Sequence, residues 1–210
     1  MSTIVTRRGI LLKSAAAVGA AMLPSALVQA ADVQRVRLLI DAGRIDIDLY
    51  VRRAPVSAGD FLKYVDRHCY DGGSFSRVVR LDNDHGSPHI DVVQGGVRAD
   101  VTPWAPIAHE TTRQTGIHHL DGTISIPRDK VGTGSGSEFF ICVGPQPALD
   151  FGGKRNPDGQ GFAAFGRVTA GMDLVRAIWH MDASGPSPDP YTNGQMLRRP
   201  VSIASAFRVA

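Results

Sequence analysis

The sequence predicts a mainly β protein, a closed eight-stranded antiparallel barrel capped by two helices. Three observations predict it. Short apolar runs of strand length recur along the chain, separated by Gly, Pro, Asn and Asp clusters. These runs do not alternate with helices, which argues against a parallel α/β sheet. Only two segments carry helical spacing, and closing an antiparallel sheet on itself removes the exposed edges that invite aggregation.

Val36, Leu38 and Ile40, then Ile45, Ile47 and Leu49 set against Arg44, Asp46 and Asp48, alternate with period two around Asp41-Ala42-Gly43 and predict a hairpin. After Pro55, Ser57 followed three residues on by Asp60 resembles a capped helix start, and Phe61, Leu62 and Val65 recur at helical spacing. A helix is therefore expected over 57–67. Strand-like runs follow at 75–80, 90–94, 123–126, 138–143 and 162–168. A second helix is expected over 170–179 with Thr169 as its cap, and Val201, Ile203, Phe207 and Val209 at even spacing predict a last strand. The helices would plug the barrel ends. Two long connections, 81–89 and 150–161, stand out, because long loops in compact domains are often functional. The stretch 182–194, rich in Pro, Ser and Gly, reads as a surface excursion.

The first 30 of the 210 residues read as an export signal rather than part of the barrel. Arg7, Arg8 and Lys13 precede an Ala-rich apolar run free of acidic residues, and Val28-Gln29-Ala30 suits signal peptidase cleavage after Ala30. Thr6-Arg7-Arg8-Gly9-Ile10-Leu11-Leu12-Lys13 resembles a twin-arginine signal, which implies a periplasmic location; an ordinary secretory signal is the alternative. No other stretch has the roughly 18 consecutive apolar residues of a membrane span. Without the three basic residues of the signal, 20 basic residues balance 20 acidic ones, so the overall basic charge is no argument for nucleic-acid binding. Residues 31–210 fall in the range of one domain around one core. Cys69 and Cys142 define no disulfide framework, and Cys142 in a strand-like run reads as a buried free thiol.

Most motifs that could carry chemistry fail on spacing. His85 and His89 stand near Asp91, but Gly86 and Pro88 rule out the helical face that would align them. His118, His119 and Asp121 have no further ligand at a recognised spacing, so solvated loop histidines are expected and no metal. Residues 132–137 hold no nucleophile elbow, and 152–161 lack the phosphate-loop spacing.

One constellation remains. Phe75-Ser76-Arg77-Val78-Val79, Val92-Val93-Gln94-Gly95-Gly96, Ser137-Glu138-Phe139-Phe140-Ile141, Leu149-Asp150 and Phe165-Gly166-Arg167-Val168 with Gly171-Met172-Asp173 follow one another in an order and spacing that resembles the cyclophilin family of prolyl isomerases. The likeness spans nearly all of 31–210. It implies an eight-stranded barrel and catalysis of X-Pro isomerisation without metal, cofactor or covalent intermediate. The resemblance assigns Arg77 to the prolyl nitrogen, Gln94 to holding the arginine or the substrate backbone, and Phe140 and Leu149 to the apolar pocket of the proline ring. Val92, Phe162 and Pro127 complete the expected binding residues. The implied partners are proline-containing polypeptides, met by a monomer.

The sequence also departs from the family pattern. The 81–89 connection is long, and Asp91 and Val92 replace the usual Phe and Met. Either Asp91 turns to solvent and the loop supplies another apolar residue, or the pocket is weakened; alternation places Val92 and Gln94 on one face and Asp91 on the other. Pro127 stands for a small Ala, Glu138 for a Gln, and Phe162 for a His. Ala148 replaces the Trp that contacts cyclosporin, which implies weak inhibition by that drug. Two competing functions are a proline-peptide-binding chaperone with little turnover and a metal-binding barrel using the His85 to Asp91 loop.

Overall fold

The computed structural model describes Met1, residues 32–187 and residues 189–209; the expected export signal lies outside the described residues. Among the described residues the chain runs β1 (Gln34–Ile40), β2 (Gly43–Leu49), α1 (Pro55–Asp66), β3 (Ser74–Val79), β4 (Val92–Gly96), α2 (Thr112–Thr115), β5 (Thr123–Ile126), β6 (Glu138–Cys142), β7 (Ala163–Ala170), α3 (Met172–Trp179) and β8 (Met196–Arg208). The eight strands close in the order β1-β2-β7-β5-β6-β4-β3-β8, every neighbouring pair antiparallel.

Period-two patterning fills the barrel. Val36 opposes Ile47 and Leu38 opposes Ile45 across the first hairpin, and all four are fully buried. On α1, Phe61 packs with Tyr70, Phe139 and Phe165 at ring-centroid distances of 4.9, 5.7 and 5.3 Å. The longer helices are α1, packed on β7 and β8, and α3, packed on β2, β3 and β4; α2 is a single turn closed by a capping box between Thr111 and Gln114.

Several boundaries differ from the sequence expectation, each for a local reason. Helix α1 begins at Pro55, whose fixed φ and missing N–H suit the first helical position, so Ser57 lies inside the helix instead of capping it. The cap comes from far along the chain: Glu110 accepts from the Val56 and Ser57 N–H groups at 3.2 and 2.7 Å and from Ser57 Oγ at 2.7 Å. Helix α3 begins at Met172, because β7 continues to Ala170 and Gly171 turns the chain at φ +89°; Thr169 donates to the Asp46 carbonyl and caps nothing. Strand β4 begins at Val92, leaving Ile90 and Asp91 in the preceding connection. The last strand is longer than expected, starting at Met196.

One irregularity decides which residues face out. The β3 register shifts between Phe75 and Arg77 against both β4 and β8. Phe75 and Val78 therefore both join the interior, while Val79 joins an apolar cluster outside it. Strict alternation would have set Arg77 on the face of Phe75; the bulge turns it outward.

The segment 127–137 is pinned against α1. Asp60, buried, accepts from Gly136 N–H at 2.8 Å, Tyr70 Oη donates to the Gly136 carbonyl, and Tyr64 Oη meets Ser135 Oγ at 2.9 Å. Gly136 is needed because a Cβ there would lie 2.7 Å from the backbone nitrogen of Phe61. Gly136→Ala is expected to destabilise the protein by about 1–3 kcal/mol through overpacking, read as a lower denaturation midpoint at unchanged m-value.

Candidate active site

Outward-facing Val79, Val92, Phe140 and Cys142 form a second buried cluster with Ile90, Leu149 and Phe162, which the neighbouring connections supply. It borders a cleft of about 590 Å³. All seven residues singled out in the sequence, Arg77, Val92, Gln94, Pro127, Phe140, Leu149 and Phe162, line this one cleft. Trp104, Thr133, Ser135 and Glu138 form further wall.

Arg77 and Gln94 are cross-strand partners, and Arg77 Nη1 donates to Gln94 Oε1 at 2.8 Å. Gln94 Nε2 in turn donates to Glu138 Oε2 at 2.8 Å. On the other edge of the guanidinium, Nε and Nη2 donate to Gln195 Oε1 at 2.9 and 2.5 Å. Gln195 was not visible in the sequence as a site residue. It stands 118 positions from Arg77, and nothing local distinguishes it from a surface Gln. Burial pushes the Arg77 pKa below its ordinary value, with Tyr191 the largest opposing influence.

The two long connections meet beside the cleft. Arg155 donates to both Asp84 oxygens at 2.7 Å, to the Pro88 carbonyl at 2.9 Å and to Tyr191 Oη at 3.1 Å. Both charges are nearly dry, with 6% and 0% of their side chains exposed. Asp84 also accepts from the N–H groups of Gly86 and Ile90 at 2.9 and 3.0 Å, so one carboxylate folds the loop and sets Ile90 into the apolar cluster. Burial opposes that charge, yet Arg155 and the two N–H groups hold the carboxyl below the usual range. Asp91 stays outside the cleft lining; its carboxyl is pushed up by burial and held back mainly by Gln146. The loop thus supplies an apolar residue, Ile90, beside Val92. His85 and His89 serve the same loop, His85 Nε2 bonding the Asn193 carbonyl at 2.8 Å and His89 Nδ1 lying 3.8 Å from Asp84.

Phe162 meets Phe140 edge-on at 5.5 Å, and the Arg128 guanidinium lies 5.5 Å from its ring centre. Arg128 is anchored by a bidentate pair with Asp158 at 2.7 and 2.8 Å. That pairing holds the Asp158 carboxyl down at about 2.

The expectation of solvated histidines is corrected at His119, which is buried and stacked on Phe140 with ring centres 6.0 Å apart. Burial keeps it neutral, with a pKa below the usual His range, against the pull of Asp150. Nδ1–H then donates to Asp150 at 2.7 Å and Nε2 accepts from Ser125 Oγ at 3.0 Å. The order Ser-His-Asp matches a hydrolase triad, but Ser125 is fully buried in β5, so the row braces Phe140 and Leu149 from behind.

The profile of cyclophilin type peptidyl-prolyl cis-trans isomerase/CLD proteins matches residues 35–205. Peptidyl-prolyl cis-trans isomerase A of Dickeya dadantii is 32% identical over 174 residues, 81% of this chain and 82% of its own. A peptidyl-prolyl cis-trans isomerase of Acinetobacter baylyi is 30% identical over 173 residues, covering 81% and 82%. The crystal structure of a Cryptosporidium parvum cyclophilin type isomerase superposes with a TM-score of 0.61 over 85% of this chain and 98% of that one. At 16% identity that likeness concerns the fold.

Two outcomes follow from the ion pairs. Asp84→Ala leaves Arg155 buried without its carboxylate, at a cost of about 3–5 kcal/mol. Amide hydrogens in 81–91 and 150–161 are expected to lose exchange protection while the barrel signature in circular dichroism persists. The Arg128–Asp158 pair has a depressed carboxyl pKa of about 2, so its stabilisation is full above the unfolded value of about 3.9 and is lost as pH falls towards 2. Acid titration should show wild type more stable than Asp158→Asn by a constant margin above that window, with the margin shrinking as pH falls through it.

Proposed function

The chain belongs to the cyclophilin-type peptidyl-prolyl cis-trans isomerase family, and we propose that it accelerates X-Pro isomerisation with Arg77 as the group that stabilises the twisted amide. Rotation about this bond is slow because delocalisation of the nitrogen lone pair into the carbonyl sets a barrier of about 18–20 kcal/mol. In the twisted state the lone pair localises on nitrogen and accepts a hydrogen bond that the planar amide cannot. A donor fixed toward that nitrogen binds the transition state more tightly than either ground state. The observation that carries this reading is the pairing of Arg77 with an apolar cluster across one cleft: Ile90, Val92, Phe140, Leu149 and Phe162 receive the proline ring while the guanidinium keeps N–H groups for the amide. Gln94, tied to Glu138, aligns the arginine.

The substrates are exported polypeptides. The support is the leader, with paired Arg7 and Arg8 ahead of a weakly apolar run, which favours a periplasmic location reached through the twin-arginine route. It acts there as a monomer, and Ala148 makes cyclosporin a weak inhibitor. The alternative of a proline-binding chaperone with little turnover rests on Asp91 and Val92 standing where the family has Phe and Met. Asp91 is not among the cleft residues and Ile90 is, which favours turnover.

Residues 31–210 should accelerate cis-to-trans exchange of a proline tetrapeptide in a protease-coupled assay, and Arg77→Ala should lower kcat/KM by about 10²–10³ with the fold intact. Binding without acceleration would leave the chaperone. Replacing Arg7 and Arg8 together by Lys should block export of the full chain, read by fractionation; unchanged export would assign the leader to the ordinary secretory route.

A further inference from the structure

We propose that Gln195 is a positioning residue that holds the Arg77 guanidinium in place, as a cation without a carboxylate partner, for the isomerisation. This rests on the isomerase reading above and adds a group remote in sequence from the family motifs.

Gln195 is fully buried at the entrance to β8. Its backbone is fixed first: the carbonyl accepts from Val78 N–H at 2.9 Å and the N–H donates to the Thr192 carbonyl at 3.1 Å. The side-chain amide is then oriented from both ends. Nε2 donates to the Asn83 carbonyl at 2.7 Å, which leaves Oε1 for Arg77 Nε and Nη2. Asn83 is itself locked, accepting from Arg80 N–H at 2.7 Å and donating to the Val78 and Gly194 carbonyls at 3.2 and 2.9 Å. The first turn of the long 80–91 connection is thus a brace whose free end is the amide oxygen facing Arg77.

The acceptors are neutral. Of the five guanidinium N–H groups, Gln195 and Gln94 together take three, and one N–H on each Nη remains for substrate. No carboxylate pairs with Arg77 among the described residues, whereas the cleft arginines Arg128 and Arg155 are both neutralised, by Asp158 and Asp84. Gln195→Glu keeps an oxygen toward Nε and Nη2 and pairs with the charge, weakening the guanidinium as a donor to the prolyl nitrogen, while giving up the donor to the Asn83 carbonyl. Orientation and charge are therefore separable by substitution.

The test compares Gln195→Glu and the near-isosteric Gln195→Met with wild type, reading kcat and KM separately by exchange NMR on a proline peptide, together with Tm and the Arg77 Nε–H resonance. For Gln195→Glu we expect kcat per folded molecule lower by about tenfold or more, KM within about twofold and a protected Nε–H. For Gln195→Met we expect a similar fall in kcat with the Nε–H signal exchanging rapidly. Wild-type kcat in both variants would overturn the inference, as would a lowered Tm with kcat per folded molecule unchanged. If Gln195→Met fails to fold, Gln195→Glu decides alone. An inactive wild type would overturn the isomerase reading, and this inference with it; an active wild type with active variants would overturn this inference only.

Discussion

Closing a sheet into a barrel fills one of its faces and leaves the other to water. In this protein the outer face of β3, β4 and β6 is apolar at Val79, Val92, Phe140 and Cys142, and apolar surface of that extent needs cover. The cover comes from chain between strands. Ile90 arrives from the connection before β4, Leu149 and Phe162 from either end of the connection before β7. The cleft is what remains where that cover is incomplete, and its position follows from which strands carry outward apolar residues.

Long connections do not hold a shape by apolar contact alone, because their backbone polar groups need partners. Two carboxylates meet that need. Asp84 gathers Arg155, Gly86 and Ile90, and Asp158 gathers Arg128 and Gln160. Each links its loop to a side chain at the cleft. The energetics are asymmetric: a buried pair adds little over an apolar substitute, but removing one partner strands a charge. This makes the loops specific in conformation without making them a large source of stability.

The cleft arginines accordingly do different work. Arg128 and Arg155 are neutralised and act as struts, one beneath Phe162 and one between loops. Arg77 is held by amide oxygens and keeps its charge. On the far side of Phe140, buried His119 is held by Asp150 at its N–H and Nδ1 and by Ser125 Oγ at Nε2, so the aromatic wall rests on a ring fixed by hydrogen bonds.

Much of this was legible in the sequence. Alternation at 36–49, apolar runs from 75 to 168 and even spacing over 201–209 were enough for an eight-stranded barrel, and the family resemblance picked out seven residues that line one cleft. Local pattern determines which residues are apolar at strand or helix spacing, and those properties travel with the residues themselves. What only the tertiary structure decided depends on partners distant in the chain. The bulge at Ser76 flips the strand phase and turns Arg77 outward, Glu110 caps α1 in place of Ser57, and Asp84 directs Ile90 rather than Asp91 into the pocket. Gln195 meets Arg77 across 118 residues. The reason is physical: hydrogen bonds and ion pairs are satisfied by whichever group the closed barrel brings within about 3 Å, and closure places together residues that no local period relates.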